Sequence, residues 1–117
     1  MGDVRGREGY YHYRQYSAVE LAERRSFEDV WYLMVHGELP DRAEAADFAQ
    51  RVASLRDLPD GLDATVELAA RHGDALSALR TVVSDLGARN AWAPTHDIDA
   101  AEVLDQTLVL GAVTPTI

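Results

Sequence analysis

Four histidines, His12, His36, His72 and His96, are the side chains here best suited to move protons or hold a metal near neutral pH. No two of them stand at the spacing that puts paired ligands on one helix face, as H-E-x-x-H does. The one histidine–carboxylate cluster is His96-Asp97-Ile98-Asp99. A general base or a metal ligand could sit there. An Asp-rich helix start, where the helix dipole favours negative charge, accounts for the same residues. His36 and His72 fall near predicted helix ends, where a cation is favourable, and His12 sits among tyrosines. None of the serines Ser17, Ser26, Ser54, Ser77 and Ser84 stands in G-x-S-x-G or beside a base. Gly6 and Gly9 precede no G-x-x-x-x-G-K phosphate loop. Arg5, Arg7 and Arg14 could grip a phosphate or carboxylate, or simply pair with surface carboxylates and stack on the neighbouring tyrosines. No catalytic, cofactor-binding or metal-binding residue is assigned on these grounds.

Composition narrows the setting. The 117 residues are 47% apolar and carry a formal charge of −9, enough apolar content for one folded domain. The acidic excess argues against nucleic acid and anionic membrane as partners, since both reward clustered positive charge. Every basic residue is Arg, and there is no Cys, hence no disulfide, thiolate nucleophile or Cys-based zinc site. The first residues form no apolar signal-peptide core, and the uncharged stretch 106–117 is far short of the roughly 20 residues that span a bilayer. A soluble, cytoplasmic protein is expected.

The apolar pattern predicts an all-α fold with a short N-terminal β-hairpin or extended arm. The arm covers residues 1–16, with turn chemistry at residues 5–9 and strand-favouring Tyr10, Tyr11 and Tyr13. Residues 17–117 read as helices. Ser17 offers a first N-cap, and Ser26 a second with Glu28 and Asp29 in the first turn. Phe27, Val30, Trp31 and Met34 then form an apolar stripe that Gly37 and Pro40 close. Asp41 with Glu44 resembles a capping box ahead of Ala45, Phe48, Val52 and Leu55. Leu62, Val66 and Ala69 mark the next helix, stopped near Gly73. Asp74 caps another, with a stripe of Leu76, Leu79, Val83 and Leu86 that ends at Gly87. Residues 88–97 read as a loop, and Asp97 or Asp99 opens a last helix. That helix is apolar around nearly its whole circumference, the mark of an element covered on all sides. About five short neighbours cannot cover it, so the sequence reads as built to assemble or as part of something larger.

One stretch is distinctive: Tyr13-Arg14-Gln15-Tyr16-Ser17-Ala18-Val19-Glu20-Leu21-Ala22, then Ser26-Phe27-Glu28-Asp29-Val30-Trp31-Tyr32-Leu33, then Gly37-Glu38-Leu39-Pro40. It resembles the N-terminal part of the citrate synthase family (citrate and 2-methylcitrate synthases), where "YRGY-x-I-x-x-LA" leads into a helix ending in "GELP". Downstream, the segment from Asp74 to Ser84 resembles the family's "M-D-x-L-R-T-A-V-S-x-L" helix, and Thr114-Pro115-Thr116-Ile117 resembles its "IPTI". Gln15 departs from the family's usual Gly. The "PTI" position lies, in the family, inside a long helix and before the two histidines, the aspartate and the arginines that do the chemistry. No catalytic residue is therefore carried over.

The resemblance implies an N-terminal segment of the large domain of an enzyme that condenses acetyl-CoA or propionyl-CoA with oxaloacetate. Acyl-CoA would be the parent enzyme's substrate, and the chain itself holds no cofactor and is expected to be inactive alone. It also implies a role in an obligate dimer, with Leu76, Leu79 and Val83 on one helix and Leu104 and Leu108 on the next at the subunit interface. Partners would be a second copy or the remainder of a citrate synthase chain. The rival reading is a non-catalytic helical module that associates with itself or with a full-length subunit. An unrelated small helical domain would instead fold alone as a monomer.

Overall fold

The computed structural model describes residues 2–117. It is all-α with an antiparallel hairpin at its start, and it divides into two compact units, Met1–Arg51 and Val52–Ile117.

In the first unit, β1 (Gly2–Arg5) pairs antiparallel with β2 (Tyr10–Tyr13), Val4 opposite Tyr11 and Arg5 opposite Tyr10. The chain turns between them through a 3-10 turn at Gly6–Glu8 and Gly9, whose φ of 64° suits a residue without Cβ. A third strand, β3 (Tyr16–Ser17), returns along β2 with Tyr13 opposite Tyr16. The connection is the two-residue loop of Arg14 and Gln15, and a tight hairpin of this kind needs positive φ at its first position. Arg14 supplies it at 51°. Gln15 is not in the left-handed region, so its departure from the family's Gly costs the turn nothing there.

Ser17 is the N-cap residue of α1 (Ala18–Arg24) by position, yet its side chain makes no capping hydrogen bond. Ser26 does cap α2 (Phe27–His36). Its hydroxyl accepts from the Asp29 amide at 3.0 Å, and Asp29 accepts from the Ser26 amide at 3.3 Å. Gly37 closes α2 at φ 94°. The inward face of α2 differs from the expected stripe: Leu33 is fully buried and Phe27 is 73% exposed. Phe27 lies in the first turn, before α2 meets Phe48. The residues that do meet Phe48 are Trp31, Tyr32 and His36, edge-on at 5.7, 5.4 and 6.2 Å between ring centroids. At the start of α3 (Arg42–Ser54), Asp41 Oδ1 accepts from the Ala43 and Glu44 amides at 2.8 and 2.9 Å. Glu44 accepts in return from the Asp41 amide at 2.8 Å, completing the box read from sequence.

The second unit is built on α4 (Leu62–His72), α5 (Ala75–Arg89) and α6 (Ala100–Val113), followed by a 3-10 turn at Thr114–Thr116. Its core is Leu62, Val82, Leu86 and Val113, with Val66, Trp92 and Ile117 among the half-buried side chains packed on it. Asp74 caps α5 and Asp99 caps α6. In α5 the end differs from the expected stop, and burial within this chain divides the apolar stripe. Its buried residues are Val82 and Leu86, while Leu79 and Val83 are half-buried and Leu76 is 78% exposed. The partner helix α4 selects this face. Nor does α5 stop at Gly87. A Cβ there would stand in ordinary van der Waals contact with the Trp92 ring at 3.5 Å, and the helix continues through Gly87 to Arg89. The helix closes with Trp92 N–H on the Gly87 carbonyl at 3.0 Å and Ala91 N–H on the Ala88 carbonyl at 3.1 Å, a Schellman arrangement. Ala91 holds the left-handed position at φ 52°, where Gly is the usual occupant. Replacing Ala91 with Gly is expected to raise stability by about 0.5–1 kcal/mol, the sign opposite to that for Gly in a helix interior. A urea midpoint that falls would show that Ala91 is unstrained.

Around α6 the burial is one-sided. Leu108, Ala112 and Val113 are buried, whereas Val103, Leu104, Val109 and Leu110 are half-covered. The helix ends at Val113. The Thr114 hydroxyl donates to the Leu110 carbonyl at 2.6 Å, and that of Thr116 to the Arg56 carbonyl at 3.1 Å.

Candidate functional site

The residues best suited to chemistry are dispersed. His96 Nε2 lies 3.4 Å from Asp97 Oδ1 with both side chains in solvent, a solvated pair ahead of α6. No group of three or more His, Asp or Glu side chains among the described residues is placed to hold a metal. His12 stacks on Tyr10 at 3.8 Å in β2. His36 occupies the last turn of α2 against Tyr32 at 4.1 Å, and His72 the last turn of α4. The hydroxyls of Ser26 and Ser77 serve helix starts, Ser77 donating to Asp74 Oδ2 at 2.7 Å, and Ser84 donates to the Arg80 carbonyl.

Among the arm arginines the geometry is specific. Arg14 Nε donates to the Leu33 carbonyl at 3.0 Å and Nη2 to the Met34 carbonyl at 2.9 Å. The guanidinium thus caps the C-terminal end of α2, sharing the Leu33 carbonyl with the Gly37 amide, where the dipole favours a cation. It passes beside Gly37, where a Cβ would stand 3.6 Å from Nη1. Arg5 lies 4.9 Å from the Tyr10 ring centroid and 3.8 Å from Glu8. Sequence reasoning offered Arg14 as an anion contact, a surface pair or a partner stacked on tyrosine. No local signal links it to carbonyls 19 and 20 residues away.

A second polar cluster joins α4 to α5. Asp85 Oδ2 accepts from the Thr65 hydroxyl at 2.6 Å and from Arg89 Nε at 3.0 Å, and Arg89 Nη1 reaches the Asp60 carbonyl at 3.1 Å. The i, i+4 spacing of Asp85 and Arg89 is a sequence signal that could have found half of it. These bonds, that of Thr65 foremost, hold the Asp85 carboxyl below its ordinary value of 3.8. A lowered carboxyl contributes stability that is present above its ordinary value and is lost as pH falls through the folded one. Its share of the thermal midpoint is therefore expected to be full from about pH 7 to about pH 5 and to be lost below about pH 4, together with that of Asp74, which the Ser77 hydroxyl and the Ser77 and Leu76 amides also hold low. Asp85→Asn should flatten the fall. An unchanged acid limb in that variant would remove Asp85 from the account.

The residues expected at a subunit contact lie on the second unit. Leu76 is 78% exposed. Leu79, Val83 and Leu104 are half-buried, and Leu108 is buried within the chain.

Comparison with known proteins adds to this geometry. The family profile described as "Citrate synthase, C-terminal domain" matches residues 1–117, the whole chain. The chain belongs to the citrate synthase family. Curated relatives agree. A citrate synthase from Haloferax volcanii is 39% identical over 101 residues, covering 86% of this chain and 27% of the relative. The 2-methylcitrate synthase 2 of Corynebacterium glutamicum is 34% identical over 97 residues, covering 83% of this chain and 25% of the relative. A 2-methylcitrate synthase from Shewanella oneidensis is 36% identical over 96 residues, 82% and 25% respectively. The chain thus spans about a quarter of the length of the curated citrate synthase relatives it matches. Among the described residues no helix is long and apolar enough to cross a membrane.

Proposed function

We propose that this chain is an N-terminal scaffold and dimer-interface segment of the large domain of a citrate synthase-type enzyme. The match over all 117 residues, spanning only a quarter of each relative, carries the reading. The parent reaction is a Claisen-type condensation of acetyl-CoA or propionyl-CoA with oxaloacetate, followed by hydrolysis of the thioester. The segment contributes packing surface to it and is inactive alone, in a cytosolic setting that suits its cysteine-free sequence.

Exposed Leu76 and half-covered Leu79, Val83 and Leu104 are the surface offered to a second subunit, backed by Leu108 from within. An apolar side chain as bare as Leu76 gains from being covered. Light scattering after size exclusion, with circular dichroism on the same peak, tests this. The expected result is a helical dimer or larger assembly. Leu76→Asp should keep the helical signal and raise the dissociation constant by at least about tenfold, roughly 1.4 kcal/mol. A compact helical monomer, with Leu76→Asp indistinguishable from the parent, would overturn the interface assignment and favour a self-sufficient small domain.

A further inference from the structure

We draw no further inference here: the strongest candidate, the apolar groove of about 460 Å³ that Val66, Ala70, Ala78, Leu79, Val82 and Ile117 line in the second unit, adjoins the surface already proposed for subunit contact, and nothing in the structure shows what covers it.

Discussion

Replacing Leu86 with Ala is expected to lower the unfolding free energy by about 3 kcal/mol, inside the roughly 2–5 kcal/mol range for buried Leu truncations. Leu86 is fully buried and shares a core with Leu62, Val82 and Val113. The loss combines the transfer free energy of the removed methyl groups with the cavity they leave, because close-packed neighbours relax only partly. Domains of this size have about 5–15 kcal/mol in total, so the effect should be plain in a urea titration. Leu76→Ala, in the same helix but in solvent, provides the comparison and should stay within about 0.5 kcal/mol when measured on dissociated protein. Equal losses at the two positions would mean that the buried face of α5 is assigned wrongly.

Arg14→Ala ranks second, at about 1–2 kcal/mol. Charge-assisted hydrogen bonds can be worth about 1.5–3 kcal/mol each, but Arg14 is exposed at its tip and solvent competes for both carbonyls. The backbone supplies a sharper test. Arg14 holds a φ of 51°, which costs a non-glycine residue about 1 kcal/mol or more. Arg14→Gly loses the same two bonds but sheds that strain, so it should be less damaging than Arg14→Ala. Arg14→Lys keeps the charge without the fork that reaches both carbonyls at once, and should fall between the parent and Ala. Hydrogen exchange at the β2 and β3 amides would localise the loss. Ala and Gly variants as stable as the parent would show that the clamp contributes nothing.

What could be read from sequence was the chemistry that acts over three or four residues. Ser26, Asp41 with Glu44, and Asp74 cap through local bonds between a side chain and nearby amides, which residue type and spacing point to; Ser17 carries the same signal without the bond, and of Asp97 and Asp99 it is Asp99 that caps α6. The buried face of α5 was not legible in the same way. Val82 and Val83 are adjacent apolar residues, and a helical stripe can pass through either. Packing against α4 decides, and that choice left Leu76 in solvent. The end of α5 misled for a related reason. Gly87 has the usual stop signal but lies within the helix, while the left-handed residue that does end it is an alanine. Arg14 shows the remaining limit, since its partners lie on another element. At the proposed contact surface, sequence could name apolar positions on α5 and α6. It could not say that Leu108 faces inward while Leu104 stays half-open.

The hydrogen bond from Thr116 to the Arg56 carbonyl joins residues 60 apart, and Val113 sits in the same core as Leu62. During synthesis, α4 and α5 leave the ribosome with Leu62, Val82 and Leu86 bare on the side that Val113 and Ile117 later cover. Loop-closure entropy must be met before that long-range contact returns anything. The Val52–Ile117 unit therefore cannot complete its fold hairpin by hairpin as the chain emerges. Its nascent form is expected to be an open helix pair with uncovered apolar surface until residues 108–117 have been made, an interval in which chaperone capture and premature pairing between neighbouring nascent chains would compete with folding.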